Sequence, residues 1–326
     1  MKILGIGNAL VDLLVRIPDE SLLSDLKVKK GSMELVNKDV IADVINKTYH
    51  LEKKQVSGGS AANTIYGVAS LGCPTGFIGT IGDDDFGVAF TRNLKESGIT
   101  PFLFVGDGET GVVGSIITPD SERTMTTFLG AAGSISTSQI NETILKQYQL
   151  IHIEGYLVFN RELIEFTSKL AKQCGLKVSL DLASFNVVEA NIDFLKNMIA
   201  NYIDIVFANE EEAKALTGKS PEDALDEIAG MTEIAVVKIG KHGSMIRKGN
   251  EKYTIPATEA HVIDTTGAGD LYAGGFLYGL SKGVSLEKCG RIGALLAGKV
   301  IEQIGAKIPA EIWPSILKKV NEIESK

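Results

Sequence analysis

The sequence predicts an α/β protein built on a mainly parallel sheet flanked by helices, with a small second sheet serving as a lid. Three observations carry that prediction. Short apolar runs alternate with amphipathic segments through most of the chain, the pattern of repeated strand–helix–strand units. Glycines close several of the helical segments, where a left-handed residue stops a helix. Two regions, 11–36 and 101–128, break the rhythm with short strand-like pieces and no helix of matching length between them.

Taken in order, the strands of the main sheet are expected at "KILGIG" (2–7), "TGFIGTI" (75–81), "LIHIEG" (150–155), "LKVSLDL" (176–182), "DIVFAN" (204–209) and "IAVVKIG" (234–240). Helical spacing marks 60–72, 86–98, 161–175 and 210–218, the first three ending at Gly72, Gly98 and Gly175. The lid is read from "LLVRI", "GSMELV", "TGVVGSIIT" and "ERTMTTF" in the two irregular regions. The last third is helical, at 267–283, 285–305 and 310–324, and its frequent glycines would weaken isolated helices. Close helix packing or approach to a ligand compensates. No repeat or low-complexity linker divides the chain, so residues 1–326 are expected to form one domain carrying the lid.

Hydrophobic residues make up 44% of the 326 and charged residues 23%, which is globular composition with enough apolar surface for a large core. A net charge of −8 without any basic block argues against a nucleic-acid-binding surface, which relies on clustered Lys and Arg. Anionic phosphates would have to be met by local donors, helix N-termini or a metal ion. Cys73, Cys174 and Cys289 form no C-x-x-C pair, so neither a disulfide framework nor a zinc site is expected, and they read as core thiols of a reducing compartment. The start, "MKILGIGNAL", has no signal-peptide pattern and no apolar run approaches membrane-spanning length. A cytoplasmic protein without a membrane partner is expected, in which the triplets at Asn46 and Asn141 go unglycosylated.

The stretch "DTTGAGDLYAGG" (264–275) concentrates the chemistry. Gly267 and Gly269 let the backbone turn tightly into a helix, so that N–H groups around Ala268 to Asp270 converge as an anion hole. A carboxylate there repels an anion unless it faces a hydroxyl about to attack a phosphate. Asp270 then fits as the base that accepts the hydroxyl's proton, although capping of the following helix is the commoner use of such an Asp. A second glycine-rich stretch, "VSGGSAANT" (56–64), leads from a strand into a helix, with Gly58 and Gly59 permitting close approach and Asn63 offering a donor and an acceptor. "GNALVD" puts Asn8 and Asp12 just beyond the first strand, where amides and carboxylates suit sugar hydroxyls. Two other motifs fail. "GIGNAL" has Leu10 at the third position of a dinucleotide fingerprint, and "TGKS" (217–220) lacks the first glycine of a phosphate loop, which would fall on Ala213.

Together these stretches resemble the ribokinase family, or PfkB-type carbohydrate kinases, across essentially the whole chain. The resemblance rests on "GGSAANTIYGVASLG" with "GTIGDDDFG" near the front and "DTTGAGDLYAGGF" near the back. It implies a Rossmann-like α/β domain with a β-sheet lid, ATP and Mg²⁺ as cofactors, and a sugar or nucleoside as the second substrate. "GNALVD", "GSMELV", "ERTMTTFLGAA" and "EGYLV" look most like the adenosine-kinase branch, whose members phosphorylate the primary hydroxyl of a ribofuranose. By that resemblance Asp12, Gly59 and Asn63 hold the sugar, Asn8 supports them, Glu154 lies near the substrate, and Asp270 is the base. Asn209 and Glu212 match an N-x-x-E motif tied to phosphate and Mg²⁺ through ordered water, while Lys238, Gly240 and Gly243 line the nucleotide channel. Asp264 and Thr266 match positions that lend carbonyls to a monovalent cation, K⁺, in some relatives. Arg123, in the lid, is placed to swing over the reacting site or to stay an exposed surface arginine. A homodimer through the lid is the one protein partner considered. The other readings are a kinase of a free sugar such as ribose, fructose or 2-keto-3-deoxygluconate, and a nucleotide-binding regulator without turnover. The intact Asp270 and its two glycines weigh against the regulator.

Overall fold

The computed structural model describes residues 1–120 and 122–325. Its strands are β1 (Ile3–Ile6), β2 (Leu10–Arg16), β3 (Met33–Leu35), β4 (Lys53–Gly58), β5 (Thr75–Ile81), β6 (Ile99–Val105) and β7 (Gly111–Ile117). There follow β8 (Arg123–Phe128), β9 (Leu150–Ile153), β10 (Lys177–Asp181), β11 (Ile205–Asn209), β12 (Ile234–Lys238), β13 (Ser244–Lys248) and β14 (Glu251–Ile255). The helices of the first half are α1 (Ser21–Leu26), α2 (Lys38–Lys47), α3 (Ser60–Ser70), α4 (Asp85–Glu96), α5 (Glu142–Leu145) and α6 (Arg161–Gln173). Those of the second half are α7 (Phe185–Glu189), α8 (Ile192–Tyr202), α9 (Glu210–Thr217), α10 (Pro221–Ala229), α11 (Ala268–Lys282), α12 (Leu286–Val300) and α13 (Trp313–Ser325).

Among the described residues, nine strands form the main sheet in the order β14–β13–β12–β11–β10–β9–β1–β5–β6. From β12 to β6 every pairing is parallel, whereas β13 and β14 add an antiparallel hairpin at one edge. The strands read as continuous apolar runs because both faces are covered. Ile3, Phe77, Phe207 and Val236 face a layer made by α3, α4, α11, α12 and α13. Leu4, Ile6, Ile151, Leu180 and Val206 face the opposite layer, α5 to α10. The glycines expected to end helices do so: Gly72, Gly98 and Gly175 all have positive φ just past α3, α4 and α6.

The second sheet runs β3–β8–β7–β2–β4. Two boundaries of the lid need correction. Residues 101–105 belong to β6, paired in parallel with β5 at the edge of the main sheet, where the missing N–H of Pro101 is tolerated. The strand that completes the lid is β4, which pairs antiparallel with β2 from Val15↔Lys53 to Leu10↔Gly58. Its end delivers the chain directly into Gly58 and Gly59. Ile41 and Val44 of α2 lie against one face of the lid, over Gly114, and Val44 packs with Val15, Ile116 and the α1 leucines Leu22 and Leu23. A lid-to-lid homodimer packing through this face would need a surface that these helices already cover. Asp12, Ser115 and Arg123 come from the other face, by the register of β2, β7 and β8.

The helix expected over 285–305 stops at Val300. Its end is claimed by the loop before α11: the Ile301 carbonyl accepts N–H groups from Ile263 and Asp264, and Asp264 Oδ2 accepts the Gly305 N–H at 2.8 Å. Residues 301–309 therefore fold back beside the "DTTGAGD" loop. "TGKS" is a turn, as expected: Gly218 ends α9 in a left-handed conformation, and Ser220 caps α10.

Candidate active site

Parallel sheets place ligands beyond the carboxyl ends of their strands. Here five adjacent strands end in polar residues: Lys238 closes β12, Asn209 closes β11, Asp181 closes β10, Glu154 follows β9, and Asn8 lies just past β1. Two helices aim their N-termini at the same row, α3 after Gly59 and α11 after Gly267.

The α11 end is shaped by glycine. Gly267 has φ +73°, and a Cβ there would lie 2.5 Å from the Ala306 methyl. A Cβ on Gly269 would lie 3.0 Å from the Lys238 ammonium, so the amine sits directly beside the first turn of the helix. No side chain caps α11, and the first turn of a helix offers its N–H groups without intrahelical partners. The Ala268 N–H turns back to the Thr265 carbonyl at 3.2 Å, which leaves Gly269 and Asp270 as the freer donors of the expected anion hole.

Asp270 does not cap its helix. Its Oδ1 accepts from Ser60 Oγ at 2.8 Å and its Oδ2 from Asn63 Nδ2 at 3.0 Å, both on α3. Burial lifts its pKa to about 6, reinforced by the charge of Asp181 and opposed by Asn63, Ser60 and Lys238. A carboxylate poised there is ionised at neutral pH yet still basic enough to take a proton.

Asp12, buried on the lid's inner face, occupies the space that a side chain on Gly58 would need: a Cβ there would be 2.5 Å from Asp12 Oδ1. Gly59, φ +91°, passes so close to the Asn8 carbonyl that a Cβ would approach it to 2.3 Å. Asn8 and Glu154 are spent on each other: Glu154 Oε1 accepts from Asn8 Nδ2 at 2.6 Å, and Oε2 accepts the Ala61 N–H at 3.1 Å. Burial pushes the Glu154 pKa up to about 7 despite these donors. Glu154 thus ties the β1 loop to the start of α3.

At the end of β11, Asn209 and Glu212 form a reciprocal capping box at α9. Asn209 Oδ1 accepts the Glu212 N–H at 2.8 Å, and both Glu212 oxygens accept from Asn209, at 2.8 and 2.7 Å. Asp181 pairs with Lys238 at 2.9 Å. Burial and the nearby Asp181 raise the Glu212 pKa to about 7, against the pull of Lys238. No group of three or more metal-ligating side chains forms among the described residues. Gly240 and Gly243 flank the turn from β12 to β13, and a Cβ on Gly243 would meet the Ile255 carbonyl at 1.9 Å, so β14 alone already requires that glycine.

Arg123 is not an exposed surface arginine: its side chain is mostly covered, 10% exposed. It donates to Ser115 Oγ at 2.7 Å and to Thr266 Oγ1, and lies 3.9 Å from both Asp12 and Asp264. The lid is therefore latched onto the "DTTGAGD" loop. Burial raises the Asp264 pKa less than hydrogen bonds from Thr266 and Gly305 and the Arg123 charge lower it. Its side chain braces the loop.

The model of the pfkB carbohydrate kinase family matches residues 34–313. The chain belongs to the PfkB carbohydrate kinases. Its ribokinase-like fold superposes on a probable sugar kinase from Rhizobium etli CFN 42 with a TM-score of 0.89 and 33% identity, covering 99% of this chain and 98% of the other. An adenosine kinase from Sinorhizobium meliloti gives 0.88 and 33%, covering 98% of both chains. A nucleoside kinase from Methanocaldococcus jannaschii is 30% identical over 81% of this chain and 85% of its own. A PfkB kinase is a phosphotransferase with an alcohol group as acceptor.

Three polar residues of this PfkB kinase escaped the sequence reading. Ser60 lay inside a quoted motif, but a hydroxyl aimed at a carboxylate 210 positions away leaves no local trace. Asp181 had a signal, its place at a strand's carboxyl end. Lys307, on the returning loop, had none. His152, given no chemistry, is a core residue with its Nδ1 3.1 Å from Ser179 Oγ, and burial lowers its pKa to about 4. No helix among the described residues is long and apolar enough to cross a membrane.

Proposed function

We propose that this PfkB kinase transfers the γ-phosphate of ATP to the primary hydroxyl of a ribofuranosyl nucleoside, with Asp270 as general base. The carrying observation is Asp270 itself, held by Ser60 and Asn63 beside the unsatisfied N-terminus of α11, with a pKa of about 6. Asp270 takes the proton of the acceptor hydroxyl as its oxygen bonds to the γ-phosphorus. The bond from that phosphorus to the bridging oxygen breaks, and ADP leaves. Such transfers need positioning and charge stabilisation more than covalent help. The Gly269 and Asp270 N–H groups and the Lys238 ammonium supply both on the donor side. Asp12, Gly58, Gly59 and Asn63 hold the sugar, with Asn8 and Glu154 fixing the loop beneath. Glu212 and Asp181 would hold Mg²⁺, which would supply charge neutralisation for the nucleotide's phosphates when bound. Activation by K⁺ through the Asp264–Thr266 loop belongs to the same reading, and turnover in K⁺ against Na⁺ buffer reads it out.

Support for a nucleoside acceptor comes from the relatives named adenosine kinase and nucleoside kinase; the relative named probable sugar kinase favours the free-sugar reading. ATP consumption measured over adenosine, other nucleosides, ribose, fructose and 2-keto-3-deoxygluconate separates them. Adenosine or another nucleoside should give the highest kcat/KM. Preference for a free sugar would overturn the nucleoside assignment and leave the chemistry at Asp270 intact, whereas inactivity on every acceptor would favour the regulator.

A further inference from the structure

The loop 301–309 carries a cation that the proposed mechanism does not use. Lys307 lies over the face of Tyr66, its Nζ 4.1 Å from the ring centroid. Tyr66 is fixed for this role: its hydroxyl donates to the Ile308 carbonyl at 2.7 Å and accepts from Trp313 Nε1 at 3.2 Å. The loop is fixed too, by Ala306 against Gly267, by Gly305 on Asp264, and by Leu14 of the lid, 3.1 Å from where a Gly305 Cβ would stand. Three elements thus hold the lysine beside the start of α11.

The charges that act on its ammonium are Asp12 and Asp270, the two carboxylates assigned to the acceptor, yet neither pairs with it within 4.0 Å. Burial draws its pKa down to about 8, against the pull of those two carboxylates. Lys238, the cation on the donor side, differs in being neutralised by Asp181 at 2.9 Å. A half-buried ammonium with three N–H donors and only an aromatic face beneath it gains from an incoming anionic oxygen.

We propose that Lys307 is the acceptor-side cation of phosphoryl transfer, donating to an oxygen of the phosphoryl group as it moves from ATP onto the hydroxyl held between Asp12 and Asp270. The inference rests on the phosphotransfer reading but not on the identity of the acceptor. Before transfer the acceptor would offer Lys307 only neutral hydroxyls, and after transfer it would carry a phosphate dianion there. Its contribution therefore belongs to the transition state and the phosphorylated product rather than to acceptor binding.

The test compares wild type with Lys307→Met, Lys307→Gln and Lys307→Arg, using adenosine with AMP as the product probe and, in parallel, ribose with ribose 5-phosphate. Lys307→Met should lower kcat by about 100-fold, the range for losing one preorganised charge-stabilising donor, with the acceptor KM nearly unchanged. Calorimetric titration should show product affinity weakened about tenfold or more while affinity for the unphosphorylated acceptor stays, because charge-assisted hydrogen bonds are lost only with the phosphate. Lys307→Arg should restore part of both. Should Lys307→Met fail to fold, Lys307→Gln carries the same expectation with a polar side chain on Tyr66. A kcat within about threefold of wild type, or equal weakening of acceptor and phosphorylated product, would overturn the proposal. Turnover of ribose but not adenosine, with the Lys307 effect intact on ribose 5-phosphate, would refute the nucleoside reading while supporting this one.

Discussion

At Asp270, two neutral donors on α3 compete with burial and with the charge of Asp181, and burial wins, leaving a pKa of about 6. The base must be ionised to act, so kcat/KM is expected to fall as pH drops through about 6, and rapid-mixing assays between pH 5 and 8 read the limb. A profile flat through that window would place the proton elsewhere. Glu154 obeys the same physics with another consequence. Its pKa rises from 4.5 unfolded to about 7 folded, so the folded state binds the proton more tightly between those values. The stability this adds is complete below 4.5 and is lost as pH rises through 7. Glu154→Gln has no such titration, so its Tm relative to wild type should climb from pH 5 to pH 8. A difference that stays constant with pH would mean that Glu154 does not titrate in this window.

At the scale of elements, the lid is a sheet latched at one corner. Arg123 on β8 ties Ser115 of the lid to Thr266 of the loop before α11, with Asp12 and Asp264 at 3.9 Å on either side. Arg123→Met removes the latch, leaving Asp264 without its arginine and Asp12 with only the charge of Lys307. Amide hydrogen exchange in β2, β7 and β8 should then quicken while β1, β9 and β10 of the main sheet keep their protection, and kcat/KM should fall. Unchanged exchange in the lid would show that the sheet holds closed without the arginine. Much of this element was readable, since β2, β3, β7 and β8 lie in the two stretches that broke the helix rhythm. What misled was "PFLFV", whose apolar run looks alike in a lid strand and in an edge strand of the main sheet. β4 was concealed because "KKQVSG" is mostly polar, having one face open to solvent and only Ser57 and Gly58 fully buried.

Over the whole molecule, strand periodicity marked the parallel sheet, while glycines and amides flagged Asn8, Gly58, Gly59, Asn63 and the "DTTGAGD" loop as ligand-facing turns. The fold brings these to one row of strand ends. Partners that meet across long separations were not readable, because a local window carries no trace of Ser60 or Lys307 beside Asp270, or of Asp181 beneath Lys238. The central claim is that Asp270 takes the acceptor's proton at this junction, and the most direct test is single-turnover transfer of labelled γ-phosphate from ATP to adenosine by wild type and Asp270→Asn, with ATP affinity measured alongside. Asparagine keeps the shape and removes the proton acceptor, so transfer should slow by about 10²–10⁴ with ATP binding nearly unchanged. Transfer by Asp270→Asn at close to the wild-type rate would contradict the account.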